Sequence, residues 1–314
     1  MDIKLCVSHR IDINSVVLHN SVLTPIYCGA ALKKGMLNNK ILRDDIGENI
    51  SRQRSYYSEL TVQYWAWKNI KSDFYGLCHY RRYFSFGSTD GYRNEQNQIS
   101  LFRLDEKNIK KYALDDEKKI RNCCSKYDVI CAEPADVNRI TAYGHCPKTV
   151  LELWQAQHNF YFDKKILSVL INIIREDKPD YFNSAMMYFA GNKHYGYNCF
   201  LLEKGLFFKL CEFQFPILAR IKQIVDSDKS LSKYPRTVGY MGEILFGIYI
   251  NYLVSINKQV LFLPLVSFES TEVAFEKKQK LEHLERFYGK KFGESYLPKN
   301  IRCYIKKCYH NVKK

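Results

Sequence analysis

Six short runs of apolar and β-branched residues, at 3–8, 25–29, 74–79, 127–132, 197–202 and 260–266, alternate with longer segments of helical spacing at 57–70, 160–174, 206–225 and 238–253. Strands that are apolar throughout must be covered on both faces, and interleaved helices supply that cover. The pattern predicts an α/β fold with a mainly parallel mixed sheet flanked by helices. In such sheets a ligand lies at the carboxyl ends of the strands, so residues just after a strand are the first candidates for chemistry. Three expected strand ends are unusually polar: Ser8-His9-Arg10, Gly29-Ala30-Ala31 and His79-Tyr80-Arg81-Arg82. Pro147, Pro179 and Pro235 punctuate the second half, and 86–98 reads as a surface loop rich in Gly, Ser and Asn.

A chain of 314 residues, 46% hydrophobic, can bury one large core. Residues 1–268 read as one domain and 269–314 as a basic amphipathic extension with helical character. The eleven cysteines are spread through apolar stretches without C-x-x-C spacing, which fits small buried hydrophobes in a reducing compartment. Met1 is not followed by a leader segment, and no apolar window of about 18 residues would span a bilayer, so a cytoplasmic location is expected.

The net charge of +15 calls for a negatively charged partner. Residues 271–314 carry twelve Lys or Arg against five Glu, with Leu281, Leu284, Phe287 and Tyr288 at helical spacing. That combination suits a solvated tail or adhesion to anionic inner-leaflet lipid, where each basic residue contributes about 1 kcal/mol. No nucleic-acid-binding motif accompanies the charge, so nucleic acid is not expected as a partner.

Within Leu77-Cys78-His79-Tyr80-Arg81-Arg82 a His and two Arg stand where a buried strand emerges, and a guanidinium fork grips a phosphate with paired charge-assisted hydrogen bonds. The acidic turn Arg43-Asp44-Asp45-Ile46-Gly47-Glu48-Asn49-Ile50-Ser51 suits ribose hydroxyls, sugar hydroxyls or a divalent cation, or else caps the helix that follows. Leu60, Tyr64 and Trp67 share one face of that helix and read as core, while Glu59 in its first turn complements the helix dipole. Glu243 is the one carboxylate within the apolar stretch 241–254, where a raised proton affinity would suit a general base. His145, His158, Asn183 and Asn198 are further polar residues in aromatic contexts.

Residues 25–31, 43–51, 57–69 and 76–84, followed more loosely by Gln157-His158, Tyr197-Asn198-Cys199-Phe200 and 238–245, together resemble one family. It is the family encoded in capsule and O-antigen clusters, long catalogued as a domain of unknown function, whose assigned members resemble galactofuranosyltransferases. The resemblance implies a single GT-A-like domain, a UDP-sugar donor and a glycan acceptor on a polyprenyl diphosphate carrier. Where many GT-A enzymes carry an acidic metal-binding D-x-D, this chain has His79 to Arg82, which leaves the need for a divalent cation, Mn or Mg, an open question. The family's Gly-Phe-Leu-x-Glu-Arg is Gly-Tyr-Met-Gly-Glu-Ile here, so Glu243 carries over and the Arg does not.

The resulting expectation is an inverting hexosyltransferase. Arg81 and Arg82, with His79, hold the donor diphosphate; His9, Arg10 and Gly29 lie by the nucleoside; Asp44, Asp45 and Asn49 face the donor sugar; His158 and Asn198 face the acceptor; Glu243 takes the proton. A pyranose/furanose mutase on the same fold and a non-catalytic glycan- or lipid-binding subunit are the alternatives.

Overall fold

A computed structural model describes residues 1–272. In chain order the strands are β1 (Ile3–Arg10), β2 (Leu23–Cys28), β3 (Leu42–Arg43), β4 (Phe74–His79), β5 (Arg82–Phe84), β6 (Ile99–Arg103), β7 (Val129–Ala132), β8 (Ala135–Asp136), β9 (Lys193–His194), β10 (Phe200–Glu203), β11 (Val260–Leu263) and β12 (Leu265–Ser270). The helices are α1 (Arg54–Tyr57), α2 (Leu60–Asn69), α3 (Glu106–Tyr112), α4 (Glu117–Cys124), α5 (Val150–Gln155), α6 (Lys165–Asp177), α7 (Phe182–Ala190), α8 (Lys204–Ser227) and α9 (Thr237–Ser255).

The main sheet runs β11-β7-β10-β4-β1-β2-β3. Its neighbours pair in parallel except β10, which is antiparallel to both β4 and β7. The expected α/β architecture with a mostly parallel sheet is what the chain adopts. The one reversed strand has a functional consequence: the residues entering β10 stand at the same edge as the residues leaving β4, as the register Phe200 opposite Leu77 requires.

Alternation along the strands divides the core. Cys6, Tyr75, Leu77 and Phe200 face the larger cluster under α2, α8 and α9, where Tyr75 stacks on Phe207 at 4.6 Å. Leu5, Val7, Cys78 and Leu201 face the other cluster, which takes in Ile120 and Cys124 of α4. Cys6, Cys28, Cys78, Cys131 and Cys199 are free and buried, as their apolar settings predict. Among the described residues no helix is long and apolar enough to cross a membrane.

Several boundaries differ from the sequence pattern for identifiable reasons. The run 260–266 is two strands, because Pro264 cannot continue the ladder; β12 leaves the main sheet and pairs with β5 and β6. The helix expected over 57–70 breaks at Ser58, whose φ of 51° is left-handed. The strand expected from 197 starts at Phe200, because Tyr197 and Asn198 have φ of 77° and 47°. Short helices α3, α4, α5 and α7 carry too few turns to stand out from their surroundings by periodicity. The basic segment expected over 269–314 lies outside the described residues beyond Glu272.

Three helices are locked together under the site. Gln63 Nε2 of α2 donates to Gln214 Oε1 of α8 at 2.7 Å, and Gln214 Nε2 donates to the Gly242 carbonyl of α9, also at 2.7 Å. Gly242 lets α9 lie directly on α2, since a Cβ there would stand 2.3 Å from Leu60 Cδ1. Glu243, the next residue, is thereby delivered to the sheet edge.

The middle of β4 is equally tight, with a Cβ on Gly76 meeting the Phe200 carbonyl at 2.8 Å and Leu5 Cδ1 at 2.6 Å. Gly76→Ala is predicted to destabilise the fold by about 1–3 kcal/mol through overpacking. Urea unfolding of the variant against the parent protein measures this; equal midpoints would contradict it.

Candidate active site

The carboxyl ends of β1, β2 and β3 form one half of the site. Asp44 is completely buried there, and both of its oxygens are saturated. Oδ2 accepts from the Gly29 N–H at 2.8 Å and from Thr61 Oγ1 at 2.6 Å, while Oδ1 accepts from the Ala30 N–H at 2.9 Å and from Ser51 Oγ. Asp44 was expected to face the donor sugar; instead it is the anchor that bends the chain after β2, and no ligand atom can reach it. Gly29 sits at φ 73° in that bend, and a Cβ on it would overlap the Arg54 side chain at 2.3 Å.

Asp45 and Asn49 remain at the surface. Asp45 is paired with Arg43, and Asn49 bonds the Gly47 carbonyl and the Ser51 N–H. With Ala31, Ile50, Arg52 and Gln53 they line a cavity of about 410 Å³, within the usual range for a small-molecule site. Arg10 is exposed and held by Asp12, which also receives Arg54 at 3.3 Å. His9 is buried; its Nδ1 lies 2.9 Å from Ser15 Oγ, and burial pulls its pKa down to about 4. It is therefore neutral at physiological pH.

The second half gathers around the end of β4. Arg81 is exposed, and the carboxylate of Glu269 on β12 acts on its guanidinium. The Arg82 guanidinium lies 5.2 Å from the centre of the Tyr197 ring. Burial, followed by the charges of Arg82 and Arg81 and then Arg10, holds His79 neutral by driving its pKa well below the usual value. Three guanidinium groups thus act on one imidazole at a strand end, which is an arrangement that favours an incoming anion.

Glu243 enters from α9. Its Oε1 accepts the Tyr197 N–H at 2.9 Å and lies 3.6 Å from His194 Nε2, while His194 Nδ1 is 2.9 Å from the Tyr188 hydroxyl. The raised proton affinity expected of Glu243 is not found. Burial pushes its pKa up, but the nearby His194, the Tyr197 N–H and the charge of Arg82 together outweigh burial and hold it below the usual value. Glu243 is an ionised carboxylate in a nearly closed setting. Gly196 permits the contact, because a Cβ there would lie 2.4 Å from His194 Nε2 and 2.9 Å from Glu243 Oε1.

Asn198, buried beside it, donates to Glu59 Oε1 at 2.9 Å. Among the described residues, His9 Nε2, His79 Nδ1, Arg82 Nε, Tyr197 Oη and Asn198 Oδ1 are buried polar atoms without a hydrogen-bond partner. Each such atom costs on the order of 1–3 kcal/mol when left unpaired, which makes these five candidates for contact with a ligand. His158 is not part of this group. Its Nδ1 accepts from the Lys164 N–H at 3.2 Å and orders its own loop.

His194, Tyr197 and Glu59 were missed as site residues. Asn198 before an apolar strand is a partial signal for the turn, since Asn tolerates left-handed backbone, but the left-handed Tyr197 carries no such signal. In sequence Glu59 stands out only as a helix-dipole partner, and its link to Asn198, 139 residues away, is visible only in three dimensions.

The model of the family described as a domain of unknown function (DUF4422) matches residues 5–254, a span that contains every side chain of this cluster. The chain belongs to that family. No curated protein matches it. The apo structure of the bifunctional glycosyltransferase WbbM shares the fold of this DUF4422 chain, with a TM-score of 0.76, 24% sequence identity, and coverage of 88% of this chain and 48% of that one. The chain therefore spans about half the length of WbbM.

The buried neutral His9 gives this DUF4422 chain a defined acid sensitivity. In the unfolded chain His9 takes up its proton near the ordinary value of 6.5, but in the folded chain only near 4. The unfolded state therefore binds more protons in that interval, and stability falls as pH falls from about 6.5 to about 4, by up to roughly 3 kcal/mol. His9→Gln is expected to flatten the decline in a pH series of urea unfolding curves; an unchanged slope would contradict the assignment.

Proposed function

We propose that the chain transfers a sugar, with galactofuranose as the first choice, from a UDP-sugar to a lipid-linked glycan acceptor, with inversion at the anomeric carbon. The observation that carries this reading is the meeting of two opposite demands at one strand end. Arg81 and Arg82 offer positive charge to a leaving diphosphate, and Glu243 offers an ionised carboxylate to an acceptor hydroxyl. The fold shared with WbbM agrees with it.

This reading gives the donor an orientation. The acceptor oxygen must lie beside Glu243 while it attacks the anomeric carbon, so the donor sugar belongs with Glu243, Tyr197, Asn198 and Glu59. The nucleoside then extends the other way, past His9 and Arg10, towards the cavity at Asp45 and Asn49. β3 stands three strands from β4, roughly 14 Å at the spacing of paired strands. Asp45 and Asn49 thus serve the nucleoside in this reading, not the sugar.

In the transfer step the acceptor oxygen forms a bond to the anomeric carbon as the bond to the diphosphate oxygen breaks. The hydroxyl proton passes to Glu243, and the departing electron pair stays on UDP, where the guanidinium groups of Arg81 and Arg82 stabilise it. With its pKa depressed, Glu243 is unprotonated at neutral pH but a weak base, so it takes the hydroxyl proton as that proton becomes acidic during attack. His194 and the Tyr197 N–H fix which oxygen is occupied, leaving Oε2 to face the acceptor.

The test is transfer from a panel of UDP-sugars, UDP-galactofuranose included, to a polyprenyl-diphosphate-linked glycan, with and without a chelator, read by mass spectrometry. Arg81→Lys and Arg82→Lys are expected to lower turnover by about 10²–10³, the usual effect of losing an oriented charge-stabilising donor. Glu243→Gln is expected to bind UDP-sugar normally and to lose transfer by about 10²–10⁴. Near-normal transfer in Glu243→Gln would remove it from the mechanism, and isomerisation of the donor without acceptor would favour a mutase.

A further inference from the structure

Beyond Glu243 the protein displays three exposed aromatic rings outside its core, joined to the core by Tyr240, which packs against Trp154 and Phe162. Tyr143 lies in a tight turn closed by the Ala142–His145 bridge and has a left-handed φ of 50°, an unusual conformation for a bulky residue. The turn presents its ring flat against Phe160, with centroids 3.6 Å apart and planes within 12°. Tyr161 meets Tyr143 edge-on at 6.0 Å and Tyr240 at 4.8 Å. Tyr240 sits one turn before Glu243 on α9, and the Arg236 guanidinium lies 5.3 Å from its ring centre.

Tyr143, Phe160 and Tyr161 are 44%, 55% and 39% exposed, so rings that could have been buried are instead fixed against one another and turned to solvent. Fixed rings with hydroxyls at their rims suit a partner that is apolar on its faces and polar around its edge, which is the character of a sugar ring. Residues of the acceptor beyond the reacting one must occupy surface continuous with Glu243, and this surface is continuous with it through Tyr240.

We propose that Tyr143, Phe160, Tyr161 and Tyr240 form the acceptor platform of the site, and that its occupant is the saccharide portion of a glycan, lying on the rings with its reacting hydroxyl directed to Glu243. This rests on the transferase reading above. Tyr240 is the inner position, beside the reacting sugar, and the Tyr143–Phe160 pair takes a sugar further from the reacting end. The carrier lipid is not the occupant.

The experiment uses the full chain and two probes: an immobilised panel of galactose-, galactofuranose- and rhamnose-containing oligosaccharides, and vesicles of phosphatidylethanolamine and phosphatidylglycerol. UDP affinity is measured by calorimetry in parallel, and thermal unfolding confirms that the exposed-site variants fold. The parent protein is expected to bind at least one oligosaccharide. Phe160→Ala and Tyr161→Ala are expected to weaken that binding at least about tenfold, as for aromatic anchors, with UDP affinity unchanged and Tyr161→Phe retaining more binding than Tyr161→Ala. Absence of oligosaccharide binding, or binding indifferent to both alanine variants, overturns the proposal. So does vesicle binding that the alanine variants abolish, which would assign the rings to the membrane. Failure of the parent to bind UDP would count instead against the transferase reading itself.

Discussion

The hydrogen bond from the Tyr197 N–H to Glu243 Oε1 joins the two parts of the molecule on which the site depends. One part is α9, pressed onto α2 at Gly242 and tied through Gln214 to Gln63. The other is the left-handed turn that feeds the reversed strand β10 back along β4. Neither part alone would bring a carboxylate to the end of β4. Together they set an anion within the field of Arg82 and beside a cluster of buried, unpartnered polar atoms.

Two buried carboxylates show how the same chemistry can serve opposite ends. Asp44 accepts hydrogen bonds on both oxygens from four groups of the protein and has no capacity left for a ligand. Glu243 is secured through Oε1 alone. The difference lies in how many donors the fold directs at each carboxylate. Sequence carries no trace of that count, because the donors to Asp44 come from Gly29, Ala30, Ser51 and Thr61, spread over more than thirty positions.

The framework was legible because it is periodic: the strands at 3–8 and 74–79 and the long helices at 206–225 and 238–253 follow from apolar spacing and reappear with their ends moved by a few residues. The polar exits of β1 and β4 were legible as sheet-edge positions, because charge placed directly after an apolar strand falls at the carboxyl edge of the sheet. What could not be read was the direction of β10, the sharing of Glu59 with Asn198, and the balance that makes Glu243 more acidic, not less. Burial was foreseeable from the apolar context of Glu243. The donors that outweigh burial come from β9, the 196–198 turn and β5, and no local pattern announces them.

The account stands on the claim that the end of β4 is a diphosphate site. Calorimetric titration of the protein with UDP and, separately, with uridine isolates that claim, since the two ligands differ only in the diphosphate. The predicted result is UDP binding at least about thirtyfold tighter than uridine, with the gap narrowing as salt is raised, as expected for charge-assisted contacts to partly exposed guanidinium groups. Equal affinities for UDP and uridine at low salt would contradict it.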